Sequence, residues 1–330
     1  MAIKQGRDDP TMAHVVEGAA VKAAAPTLPQ VRSWQRRDRL IGLLFLVPAV
    51  VYIVVFYVYP ILYNILMSFE RYTAKSFVTG EAPFIGLGNF RRLVSNPDFT
   101  TAVWNTVLFT LGSLFFQFTI GLAIAVFFQR KFPLSGFLRA LMLMPWLAPV
   151  LVSGAVWVRL FDMDYGTINF VIRSLDVTSQ HIAWLTDPHL ALISVLIANI
   201  WIGIPFNMVI LYGGLQDIPG TLYDAAAIDG AGPWEQFSYI SWPLLRPVAT
   251  VVLLLGLVYT VKVFDVIMSI TRGGPANVSQ TLNTWAYSLS FSILDFGLGA
   301  AAGDILMVVV FVFGLLYLRY AYREIREVGQ

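Results

Sequence analysis

The chain has 330 residues, 57% of them hydrophobic and only 13% charged, whereas soluble domains carry about 25% charged residues. That composition excludes a soluble globular protein, and with it the disordered, fibrous and disulfide-scaffold classes. A net charge of +2 carries little information in a membrane protein, where the asymmetry between loops on the two sides matters, and nucleic acid is not an expected partner; the absence of cysteine allows no thiolate metal site, disulfide or thiol nucleophile.

Residues 1–39 are rich in Ala, Pro and charge, without a sustained apolar period, and are expected to form a flexible cytoplasmic tail. The apolar run that follows is too long and starts too deep for a cleaved signal sequence. Runs near Leu40–Met67, Ala102–Phe128, Leu141–Phe161, Ala191–Leu215, Val248–Ile270 and Gly299–Leu318 each supply the ~20 residues that a membrane helix needs. The expected fold is all-α, a polytopic membrane domain of six spans over residues 40–320, followed by a cytoplasmic tail at 321–330. Pro48, Pro60, Pro145, Pro149 and Pro205 fall inside these runs and predict kinked helices, which a bundle tolerates because neighbours satisfy the freed carbonyls. With the N-terminus inside, fourteen Lys and Arg lie on the inner side and seven on the outer, with Lys262 left in a span. The positive-inside bias therefore puts both termini in the cytoplasm. The outer segments, 68–101, 162–190 and 272–298, are aromatic, Gly-containing and too long for tight turns, so they could dock something outside.

Catalytic chemistry is missing. His14, His181 and His189 lie outside the spans and form no H-E-x-x-H pair, no G-x-S triplet occurs, and no lysine follows a glycine. The serine elbow and the G-x-x-x-x-G-K-[ST] phosphate loop are thereby ruled out. If ATP drives transport, its chemistry must reside on a partner.

The inner loop, 216–247, reads as two short helices with a hinge. Pro219 suits a first helical position, Thr221 and Asp224 have a capping spacing, Gly230 can take the left-handed conformation that ends a helix, and Gly232-Pro233 can start the next. A helix from Pro219 to Asp229 is only about 16 Å long and marginal by itself in water. Its slim surface of Ala225, Ala226 and Ala227, with Leu222 and Ile228 as small apolar anchors, suits a partner's groove.

Here the residues carry a resemblance. Asp224-Ala225-Ala226, Asp229-Gly230-Ala231, Phe237, Ile240, Pro243, Leu245 and Pro247 resemble the EAA motif of permease subunits of binding-protein-dependent ABC importers, with Asp224 in place of the usual Glu. Ile85-Gly86-Leu87-Gly88-Asn89-Phe90 with Asn105-Thr106, Phe137-Leu138-Arg139-Ala140 with Pro145, Pro149 and Trp157, and Gly273-Gly274-Pro275 with Tyr287 are similar to its carbohydrate-uptake branch, which includes the maltose permease subunits. The resemblance implies a type I importer permease fold in a bacterial-type cell membrane. It implies pairing with a second permease, two copies of a cytoplasmic ABC ATPase that hold ATP and Mg, and an extracytoplasmic solute-binding protein; this chain would hold no cofactor or metal and would not be an enzyme. Leu222, Asp224, Ala225, Ala226, Ile228, Asp229, Gly230 and Ala231 would form the coupling element that enters the ATPase cleft.

Ionisable groups in hydrocarbon cost about 2.5–3.5 kcal/mol each even on lenient scales. Lys262 and Asp265, three apart, could share a face and neutralise each other. Asn199, Gly203, Phe206 and Asn207 fall on one stripe of the fourth span, with two amides, a gap and an aromatic face, so a bulky residue such as Trp at Gly203 is expected to block uptake and leave assembly intact. By the resemblance, Gly203 and Phe206, together with Gly256, Thr260 and Val263 of the fifth, line the solute pathway. Packing of small residues between helices is the competing reading for each. Asp304 is expected as a packing or rim residue, and Arg159 as a side chain reaching the outer interface. An autonomous secondary carrier or channel is the alternative class; it would need a relay of buried acids, for which only Asp265 and Asp304 are candidates.

Overall fold

The computed structural model describes residues 36–328 except residue 131; the tail assigned to 1–39 lies outside this range apart from its last four residues, which open a helix. The chain falls into two units, Met1–Tyr59 and Pro60–Gln330. In the first, a helix Arg36–Ile53 containing Pro48 runs into a π-helical turn, Val54–Val58. Every described side chain from Ile41 to Tyr59 is exposed. A helix apolar on all sides suits lipid or other membrane helices, not water.

Five helices among the described residues are long and apolar enough to cross a membrane: Ile41–Ser68, Pro97–Phe128, Ala191–Gln216, Pro233–Val261 and Phe296–Leu315. A sixth candidate is the pair Ser135–Leu147 and Val150–Leu160, bent by 93°. Here Ala148 and Pro149 are extended (ψ 140° and 131°), since a residue before proline is pushed out of the helical region. The helices are called below the first to sixth spans in chain order, the bent pair being the third.

Local sequence explains the ends. Asn96 caps the second span by accepting a bond from the Asp98 amide at 2.9 Å, with Pro97 at the first helical position, where a missing N–H costs nothing. Asn105, Phe109, Ser113, Gln117, Gly121 and Ala125 are buried along this span, one every fourth residue, so they form a single ridge. That ridge meets the fourth span at close range: a Cβ at Gly121 would stand 2.7 Å from the Asn207 Cβ. Small residues and interhelical amides are what hold membrane helices together, because apolar burial gives little gain against lipid.

The fifth span departs from the expected Val248–Ile270. It starts fifteen residues earlier, at Pro233, and stops at Val261. Gly232 donates its N–H to Glu235 Oε2 at 2.6 Å at the start, and a π-helical turn at Phe237–Ser241 precedes Pro243. At the other end Lys262, Val263 and Phe264 (φ −133°, ψ −56°) break the helix before the short helix Asp265–Ile270. The Asn283 amide donates to the Lys262 and Val263 carbonyls, at 2.7 and 3.4 Å, and so satisfies the broken end. The sixth helix continues to Val328, through most of the segment read as a tail.

Buried apolar clusters sit at three levels. Leu93, Ala102, Trp285 and Ala301 join the sixth helix to the segments around it. Phe109, Val195 and Ile267 lie between the second and fourth spans and the short helix. Ala125, Met208, Leu211 and Leu245 pack beneath the inner loop. The sequence signatures at 85–90 and 105–106 act as staples. Asn89, fully buried, donates to the Ser68 and Glu70 carbonyls at 2.9 and 2.7 Å. Asn105 donates to the Val278 and Gln280 carbonyls at 2.7 and 2.9 Å, and Thr106 Oγ1 accepts from the Leu282 amide at 2.8 Å. Asp304 is buried and accepts a bond from Asn64 at 2.8 Å, a packing role within the sixth helix. Arg159 lies largely exposed, 3.9 Å from Asp162.

Candidate functional site

The fourth and fifth spans carry a cavity near one end and the inner loop at the other. The cavity, of about 500 Å³, is walled by Asn199, Gly203 and Phe206 from the fourth span, by Gly256 and Thr260 from the fifth, and by Val263 from the break that follows it. Six of the seven pathway residues expected from the sequence thus share one space. Asn207 does not. It is buried, its amide donates to the Gly203 carbonyl at 2.9 Å, and it faces Gly121 of the second span.

Gly203 also differs from expectation. The space above it is no open gap: a Cβ there would lie 2.3 Å from the Gln117 Cδ and Nε2. Gln117 Nε2 donates to the Asn199 carbonyl at 2.9 Å, and Asn199 Nδ2 donates to Ser113 Oγ at 2.9 Å. This polar seam locks the second span to the fourth and presents Gln117 at the cavity wall. The sequence held a signal for it, an amide four residues after Ser113 in an otherwise apolar run. Trp146, Tyr259 and Phe264 also line the cavity and were missed; Trp146 arrives only through the bend of the third span. The rings of Trp146 and Phe206 lie 5.8 Å apart, and those of Phe206 and Tyr259 6.2 Å.

The expected Lys262–Asp265 pair does not form. Among the described residues the ion pairs are Arg92–Asp295 and Arg159–Asp162, with His181 3.8 Å from Asp164 forming a third only when its imidazole is protonated. Lys262 and Asp265 stand on opposite sides of the helix break, so the three-residue spacing does not place them on one helical face, and Lys262 Nζ lies 5.1 Å above the Tyr259 ring.

In the inner loop the helix is Gly220–Ile228, with Pro219 as its N-cap and no side-chain cap from Thr221; the expected capping spacing is not used. The other end is a Schellman motif. Gly230 has φ +83°, the Gly230 amide donates to the Ala227 carbonyl at 3.1 Å, and the Ala231 amide to the Ala226 carbonyl at 2.9 Å. Nothing lies within 4 Å of a Cβ placed on Gly230, so the glycine serves backbone geometry alone. Leu222, Asp224, Ala225 and Asp229 are exposed, Ala226 and Ala231 half-buried. Ile228 is 87% exposed, and beyond it Trp234 and Tyr239 are 76% and 80% exposed, so the exposed apolar surface of the loop extends past the anchors Leu222 and Ile228. Tyr223 anchors the helix through a 2.9 Å hydroxyl contact with Ser241 of the fifth span.

A fold of this kind, with a short helix displayed between two cavity-lining spans, matches known proteins. The family of binding-protein-dependent transport system inner membrane components covers residues 117–326. The chain belongs to that family. It is 33% identical to the trehalose/maltose transport system permease protein of Thermococcus litoralis over 86% of this chain and 94% of that one. Against the sulfoquinovosyl glycerol transport system permease protein of Agrobacterium fabrum it is 31% identical, over 92% and 97%. The fold is that of a type I ABC importer permease: a bacterial ABC transporter involved in import of the acidic polysaccharide alginate superimposes with a TM-score of 0.75 at 22% identity, covering 87% of this chain and 96% of that one. This binding-protein-dependent permease is a membrane-spanning transport subunit, and its family is defined by transport, not catalysis.

Proposed function

We propose that this permease imports a sugar or sugar-like solute, pairing with a second permease to form the pathway and coupling it to two cytoplasmic ABC ATPases through the helix Gly220–Ile228. One observation carries the reading: the loop that displays this helix joins the same two spans that wall the cavity. A push on the helix reaches the cavity through rigid helices, with Tyr223–Ser241 as a tie. The sugar assignment draws on the relatives named for trehalose/maltose and sulfoquinovosyl glycerol transport. ATP and Mg belong to the ATPases, and an extracytoplasmic solute-binding protein delivers the solute. Both termini and the coupling loop face the cytoplasm, which requires the bent third span to cross.

The test compares two substitutions. A residue with a Cβ in the left-handed region costs roughly 1 kcal/mol or more, and a β-branched one costs more, so Gly230→Val misdirects the helix and lowers copurified ATPase. Asp224→Ala removes charge but keeps the helix; the complex assembles, and solute stimulates ATP turnover poorly. Wild-type copurification and wild-type stimulated turnover for Gly230→Val would remove the coupling role from this loop.

A further inference from the structure

Lys262 and Asp265 are the charged residues on the cavity wall, and neither has an ion-pair partner among the described residues. The helix break brings them there. Lys262 follows the last turn of the fifth span, Asp265 begins the next helix, and Asn283 fixes the intervening carbonyls at 2.7 and 3.4 Å. Both residues are exposed. Along the same cavity, Trp146, Phe206 and Tyr259 form a continuous aromatic ledge.

An ammonium only donates hydrogen bonds and a carboxylate only accepts them. A hydroxyl does both, so neighbouring hydroxyls of one ligand can satisfy a Lys and an Asp together, while its C–H face lies on the aromatic ledge. An anionic ligand drawn to Lys262 would share the cavity with the Asp265 carboxylate, and a cationic one drawn to Asp265 would share it with the Lys262 ammonium. The wall charges sum to zero, which favours a ligand without net charge. We propose that Lys262 and Asp265 are specificity-determining residues that read the hydroxyls of a neutral polyhydroxylated solute. This rests on the pathway reading above.

The test uses cells carrying the whole transporter, with labelled trehalose, maltose, lactose and galacturonate as probes. The variants are Lys262→Met, Asp265→Asn and the double substitution. Charged-group hydrogen bonds predict that each single variant lowers the uptake rate of a transported neutral sugar at saturating solute about tenfold or more, and that the double variant is at least as impaired as the worse single one. Recovery of wild-type uptake in the double variant would show that the two residues merely neutralise each other, and would overturn the proposal. Unchanged uptake rates at saturating solute in the single variants, or uptake of galacturonate alone or of no probe, would overturn it too. Copurified ATPase is measured in parallel. Its retention in the variants shows that they are folded and assembled, and its absence from the wild-type chain would instead be a failure of the importer reading.

Discussion

Gly203 offers the sharpest test of how the cavity wall is built. A single methyl group at this position would stand 2.3 Å from the Gln117 Cδ and Nε2 and 2.6 Å from Oε1, well inside contact distance. Gln117 is only 6% exposed and holds the Asn199 carbonyl at 2.9 Å, so its amide must leave that bond or the second span must retreat. Overpacking of a tight interior costs about 1–3 kcal/mol, and stripping a buried amide of its partner costs about 1–3 kcal/mol more. Gly203→Ala should therefore destabilise the permease by about 2–6 kcal/mol, read as a lower thermal midpoint of the purified complex, together with reduced uptake. Removing the obstacle should relieve it: Gly203→Ala combined with Gln117→Ala should recover at least about 1 kcal/mol relative to the sum of the single effects, the size expected for residues in contact. A wild-type midpoint for Gly203→Ala, or strict additivity in the pair, would refute this account of the seam. The larger Gly203→Trp, which the sequence suggests would plug the pathway and spare assembly, should disrupt assembly as well.

The remaining predictions concern topology and the outer staple. Because the chain has no native cysteine, single cysteines at the exposed positions 181 and 277 should label from outside and one at 224 only after permeabilisation; if the 93° pair turned back without crossing, 181, 224 and 277 would all reverse. Asn89→Ala leaves the Ser68 and Glu70 carbonyls without this donor and should cost about 2 kcal/mol or more, and Asn89→Asp should be destabilising as well, because a carboxylate cannot donate to these carbonyls, with Arg92, 3.2 Å from Oδ1, offsetting part of the loss. Equal thermal midpoints for the wild type and Asn89→Asp would contradict the staple role.

What the sequence determined by itself was local. Runs of about 20 apolar residues demand helices in lipid, and the turn chemistry of the inner loop is set by a few residues: Gly230 does adopt φ +83°, and Pro233 does open a helix behind Gly232. The stripe of the fourth span was legible too, since Asn199, Gly203 and Phe206 do face one cavity. Tertiary structure decided the rest. Asn207 lies on the same stripe yet turns to Gly121, Gln117 fills the place left by Gly203, Trp146 enters through a bend, and Lys262 and Asp265 are separated by a break that Asn283 secures. The physical reason is that lipid and protein interior are equally apolar. A membrane helix therefore needs no contrast between its faces, and which face is buried, and against what, is fixed only when a neighbouring helix arrives with the matching amide, glycine or ring.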